Sequence, residues 1–242
     1  MITRRDFLKA AGVLAGASLL PELTFGSEPP PGAAKPQPTT KRQEVAMYET
    51  RSWDYIDKGL DGLSANLLKN HYGLYQGYVK KINEIEEKLR GADPSGANYS
   101  FNEFSELKRR EAVPLMGTCL HELYFDNLSP QPLDESSSLA QDLKKDFGSL
   151  DKWWEQAKGV CLSTVGWCVT TYNKRDHKLH NYLIEEHHRG YPAFQVPVIV
   201  IDSWEHAFGL DYGTARAKYL DVFRKNLNWK MCQERYQKAI KD

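Results

Sequence analysis

The chain has 242 residues, enough to bury a proper core as one large domain or two small ones. Lysine plus arginine equals aspartate plus glutamate at 32 each, so no net field draws it to nucleic acid or an anionic membrane. Hydrophobic residues at 41% and charged residues at 26% describe an ordinary soluble globular composition, which names no function.

At the N-terminus, Arg4 and Arg5 precede an apolar run rich in Ala and Gly that is too short to span a bilayer with ease. Thr3, Arg4, Arg5, Phe7, Leu8 and Lys9 resemble a twin-arginine export signal. The resemblance implies a signal peptide over 1–26, handled by the twin-arginine export machinery. It further implies a periplasmic or extracytoplasmic location and no membrane span in the mature form. That route carries folded proteins, so a metal loaded in the cytoplasm fits the address. Residues 27–47 are Pro-rich and polar, the composition of a linker.

From Trp53 to about Leu89, apolar residues recur at Leu60, Leu63, Leu67, Leu68, Tyr75, Tyr78, Val79, Ile82 and Ile85, the spacing of an amphipathic helix or helical hairpin. GADPSGANYS reads as a loop, and further helix is predicted from Phe101 until SPQP breaks it. Ser136 to Ala157 again has helical spacing. Then VCLSTVGWCVTTYN, KLHNYLIEE and AFQVPVIVID, rich in Val, Ile, Thr, Tyr and Trp and separated by turns, read as three strands. The stretch after Ile201 and Asp202 returns to helix. The predicted class is α+β, with a helical N-terminal domain over 48–131 and a C-terminal domain over 132–242 that carries a small three-stranded antiparallel sheet flanked by helices.

The four cysteines form no C-x-x-C pair and fall in apolar segments, so they read as buried small hydrophobes. Whether Cys161 and Cys168 pair in an oxidising compartment stays open. Among seven histidines, His71 and His121 lie on predicted helices, and Asp202 and His206 close the last strand. His177, His180, His187 and His188 sit in or beside the sheet. A single histidine on an apolar face is more often a hydrogen-bonded core residue than a ligand, and a D-x-x-x-H pair is usually a solvated contact. Only their combination points to a transition-metal site, whose ligands come from separate elements.

DSWEHAF followed by LDYGTARAKYLDVFRKNLNW resembles the C-terminal signature of the iron/manganese superoxide dismutases, D-x-W-E-H-A continuing through D-Y-x-x-x-R-x-x-Y to N-W. VGWCV, FGSLDKW, LHELYFDNLSP and LSANLLKNHYG are similar to further segments of that family, in the same order. The resemblance covers about Tyr48 to Tyr236. It implies one Fe or Mn ion per subunit bound by His71, His121, Asp202 and His206, and dismutation of superoxide to dioxygen and hydrogen peroxide. Trp204 is expected as an apolar wall beside the metal, and Trp167 as the active-site tryptophan. Glu205 is expected to reach the ligand histidine of a partner subunit in a homodimer, or in a tetramer built from one.

Departures from the family pattern qualify the site. Gly117 stands where some members carry a Gln that touches the metal-bound solvent, so the sheet must supply that partner. Fifteen residues before Asp202 stands His187, which resembles the branch with a sheet histidine; His188 is the second choice. His71 and the gateway Tyr78 are seven apart, whereas the family spacing is eight, and aligning back from Tyr78 would put Asn70 at the ligand position. Removal of a π-bulge could absorb the difference. Leu74 or Tyr75 replaces the family's helix histidine, and Gly209 replaces the tyrosine that it contacts. An alternative is therefore an exported metal-binding relative with little or no dismutase activity.

Overall fold

The computed structural model describes residues 47–241. The expected signal peptide at 1–26 and all but the last residue of the linker at 27–47 lie outside the described residues. Helix α1 runs Ala65–Gly91 and helix α2 runs Glu103–Asp126. Each starts on a side-chain cap: Ser64 accepts from the Leu67 amide, and Asn102 from the Ser105 amide. The expected start at Trp53 is corrected, because residues 53–64 form turns and a Leu60–Leu63 bridge ahead of the Ser64 cap. The two helices pack along each other, burying Leu67, His71, Tyr75 and Val79 on one and Leu120, His121, Tyr124 and Phe125 on the other.

The helical stretch expected over 136–157 divides at Gly148 into α3 (Ser138–Phe147) and α4 (Leu150–Leu162). Val160 to Leu162, read as strand from their β-like composition, continue α4. Strands β1 (Trp167–Asn173), β2 (Lys178–Ile184) and β3 (Gln195–Asp202) then form one antiparallel sheet in the order β2-β1-β3. β1 is buried along almost its whole length, as the middle strand of a sheet covered by helices must be. Its register sets Trp167 opposite both Ile184 and Asp202. After a 3₁₀ turn at Glu205–Ala207 come the short α5 (Gly209–Tyr212), then α6 (Arg216–Lys225) and α7 (Trp229–Lys241). A helical region followed by a three-stranded antiparallel sheet with flanking helices makes the class α+β, as the sequence predicts. No helix among the described residues is long and apolar enough to cross a membrane.

Candidate metal centre

Four side chains from separate elements meet between the helix pair and the end of the sheet. α1 supplies His71, α2 supplies His121, the last residue of β3 is Asp202, and the following 3₁₀ turn carries His206. One donor atom from each lies within 4.8 Å of all the others. Asp202 Oδ2 is 3.0 Å from His71 Nε2, 3.3 Å from His206 Nε2 and 3.8 Å from His121 Nε2. Ligands held at metal-bond lengths of about 2.0–2.2 Å around one ion stand roughly 3–4 Å apart, which these contacts match.

None of these four atoms has a hydrogen-bond partner, although His71, His121 and Asp202 are fully buried. Unpartnered donors in a dry interior are costly unless a cation takes them up, so the residues fit a bound metal ion. On His121 and Asp202 the opposite atoms are tied down. His121 Nδ1 donates to the Gly117 carbonyl at 2.6 Å, which fixes the tautomer and leaves Nε2 free to ligate. Asp202 Oδ1 accepts from the Trp204 amide at 2.8 Å, and the Asp202 carbonyl accepts from the Tyr219 hydroxyl at 3.0 Å.

Burial keeps His71 and His121 neutral, as ligation requires; His121 falls well below its ordinary range because His71 also opposes its charging. For Asp202 burial works against ionisation, but the adjacent His206 and His71 imidazoles outweigh it and hold the carboxyl below the usual carboxylate range. Three imidazoles, one carboxylate and no thiolate form a donor set suited to Fe or Mn.

Beside the cluster runs a polar chain. The Trp167 indole N–H donates to His187 Nδ1 at 3.0 Å, and His187 Nε2 lies 2.6 Å from the Tyr78 hydroxyl. Because Nδ1 accepts, neutral His187 carries its proton on Nε2 and donates it to the Tyr78 oxygen. Burial lowers the His187 pKa to about 4 and, with the Asp202 charge, raises that of Tyr78. Tyr78 therefore keeps its own proton and has it free to give.

Aromatic walls complete the site. Trp204 stacks on His206 at 6.2 Å between ring centroids, and Trp167 meets His121 edge-on at 5.0 Å. Tyr124 and Phe125 close over His71 at 4.9 and 5.1 Å. Sequence reasoning did not single out these last two, although they follow His121 by three and four positions and so share its helix face. Asn70, the alternative first ligand, is exposed and donates to the Asn66 carbonyl. His188 stands 3.7 Å from Glu186, while His177 pairs with Tyr172 and His180 with Asp176. All four cysteines are free thiols, three of them buried. Glu205 lies at the rim of a hollow of ≈ 670 Å³ that reaches His206, between Leu74, Gly209 and Leu210.

A helix pair giving two imidazoles and a strand end giving a carboxylate and a third imidazole define, among the described residues, a buried cluster of the kind that holds a single metal ion. Residues 135–235 match the model of the iron/manganese superoxide dismutase C-terminal domain, and residues 1–21 match the twin-arginine translocation pathway signal sequence. The chain is 37% identical over 203 residues to superoxide dismutase [Fe] of Aquifex aeolicus (strain VF5), covering 81% of this chain and 95% of that one. It is 34% identical over 202 residues to superoxide dismutase [Fe] of Cupriavidus metallidurans, covering 81% and 100%. It is 29% identical over 180 residues to superoxide dismutase [Mn] 2 of Haloferax volcanii, covering 74% and 89%. The chain belongs to the iron/manganese superoxide dismutase family.

Proposed function

We propose that the protein converts superoxide to dioxygen and hydrogen peroxide at a mononuclear Fe or Mn centre held by His71, His121, Asp202 and His206. The observation that carries this reading is the convergence of four unpartnered donor atoms within 4.8 Å, in a buried pocket with a protonated Tyr78 alongside. When bound, Fe or Mn supplies the one-electron redox change that oxidises one superoxide and reduces the next. Superoxide reduction takes up two protons: the Tyr78 hydroxyl offers one and solvent supplies the other. His187 holds that hydroxyl by donating to its oxygen, and Trp167 holds His187 in the required tautomer. Trp204 stacks on His206 and stands as an apolar wall on that side of the site.

The relatives' names include both metals and the donor set accommodates both, so elemental analysis after native expression decides occupancy. The twin-arginine signal marks the chain for export, and its working place is then the periplasm or another extracytoplasmic space. The assembly is a homodimer, in which Glu205 of one copy reaches His206 of the other.

In the decisive experiment, metal-loaded protein consumes superoxide catalytically. His121→Ala, which removes one of four donors, loses both bound metal and activity by at least a factor of ten. Full metal occupancy without superoxide consumption would overturn the dismutase reading in favour of a non-catalytic metal-binding relative.

A further inference from the structure

Gly117 sits in the interior of α2, one turn before His121, where glycine is among the poorest helix formers. The helix glycines Gly73, Gly77 and Gly159 have nothing within 4 Å of the place a Cβ would take. At Gly117 that place lies 2.8 Å from Cγ and Cδ1 of Tyr78 and 3.1 Å from its Cδ2. Carbon atoms in contact stand about 3.5–4.0 Å apart, so a methyl group there and the Tyr78 ring exclude each other. The ring has little room to yield. It packs tilted on His121 at 5.3 Å and edge-on to His187 at 4.8 Å, and its hydroxyl is bound to His187. Its backbone belongs to a helix anchored by buried Val79 and Ile82.

We propose that Gly117 is a positioning residue for Tyr78: the missing Cβ leaves the slot in which the ring stands to reach His187. Glycine thus stands at a helix position where alanine would form the better helix. This inference rests on the dismutase reading for its catalytic consequence, but its packing argument stands without metal.

The test is a double-mutant cycle of Gly117→Ala and Tyr78→Ala, read as the thermal midpoint of the metal-free protein and as metal content, reduction potential and turnover of the loaded one. Gly117→Ala lowers the midpoint, keeps the metal, and cuts turnover about ten-fold with a shift in reduction potential of the same sign as that of Tyr78→Ala. In the Tyr78→Ala background, adding Gly117→Ala leaves the midpoint unchanged or raises it and moves neither turnover nor potential further. If Gly117→Ala alone fails to fold while the double variant folds, the slot is equally supported; if both fail, it is refuted. Wild-type midpoint and potential in Gly117→Ala, or the same loss of midpoint with and without Tyr78, also overturn the proposal. Wild-type protein that binds metal without consuming superoxide fails the dismutase reading alone, because the cycle on metal-free protein still reads the packing.

Discussion

His187 has both ring nitrogens committed, one accepting from Trp167 and one donating to Tyr78, so its neutral form is built into the fold. Burial lowers its pKa from the ordinary 6.5 to about 4. Above pH 6.5 the residue is neutral in both folded and unfolded chains, and its contribution to stability is complete. Between 6.5 and 4 the unfolded chain takes up a proton that the folded one refuses, so stability falls by at most roughly 3 kcal/mol. In metal-free protein, His187→Gln is expected to flatten the loss of stability between pH 7 and 4 relative to wild type. His71 and His121 depress stability in the same direction in both proteins and cancel in the difference. Equal slopes in denaturant titrations would mean that His187 is charged in the fold, contrary to the tautomer argument. The position of His187 was legible by counting back from Asp202. Its two partners were not, because Tyr78 lies 109 residues earlier and only the folded chain sets the hydroxyl on the imidazole.

Helix α1 shows how an unusual spacing becomes a working one. It is α-helical from Ala65 to Gly91 without a π turn. At about 100° per residue, seven residues fall some 20° short of two full turns, so His71 and Tyr78 share a face and both enter the site. Aligned back from Tyr78, the sequence puts Asn70 at the ligand position, and His71 is preferred because only its side chain ligates well; regular helix geometry leaves Asn70 exposed, donating to the Asn66 carbonyl. The strand boundary was misread at Val160 to Leu162 because apolar composition alone does not set the period: only Cys161 of the three joins Trp153, Trp154 and Ala157 on the buried face of α4, and Leu162 is exposed. The start of α1 was missed because apolar spacing continues back through Leu60 and Leu63, and only the cap marks the first turn. That cap carries two duties. Ser64 Oγ accepts from the Leu67 amide at 3.1 Å and donates to Asp211 Oδ1 at 2.6 Å, joining the start of α1 to α5. Ser64→Ala is expected to cost about 1–2 kcal/mol, a fall of roughly 2–8 °C in the thermal midpoint, with full metal content. Loss of metal without loss of stability would show instead that the link sets His71 in place.

The four donors come from positions 71 to 206 and meet only once the helix pair and the sheet have packed, so a chain exported folded can leave the cytoplasm with its metal in place. In the isolated protomer the His206 ring is 23% exposed although its Nε2 is buried, whereas the side chains of His71, His121 and Asp202 are closed off. The opening is the hollow rimmed by Glu205, with Leu74 at 43% and Leu210 at 58% exposure beside it. Gly209 shapes this rim, since a Cβ there would stand 3.1 Å from Cγ of Glu205 and crowd it. In the proposed homodimer Glu205 of one copy reaches His206 of the other across a two-fold axis, where the same patch meets itself. The expected solution state is therefore a dimer, observed by sedimentation. Leu210→Glu places like charges on an apolar rim and shifts the protein towards monomer. Glu205→Ala leaves His206 of the partner without its acceptor, and weakens association by roughly 1.5–3 kcal/mol, the range for a hydrogen bond to a charged group. Both variants should expose His206, so metal is lost faster to a chelator in proportion to the monomer fraction. A wild-type protein that sediments as a stable monomer at full metal occupancy would remove the cross-subunit role from Glu205 and leave the hollow as an open approach to His206.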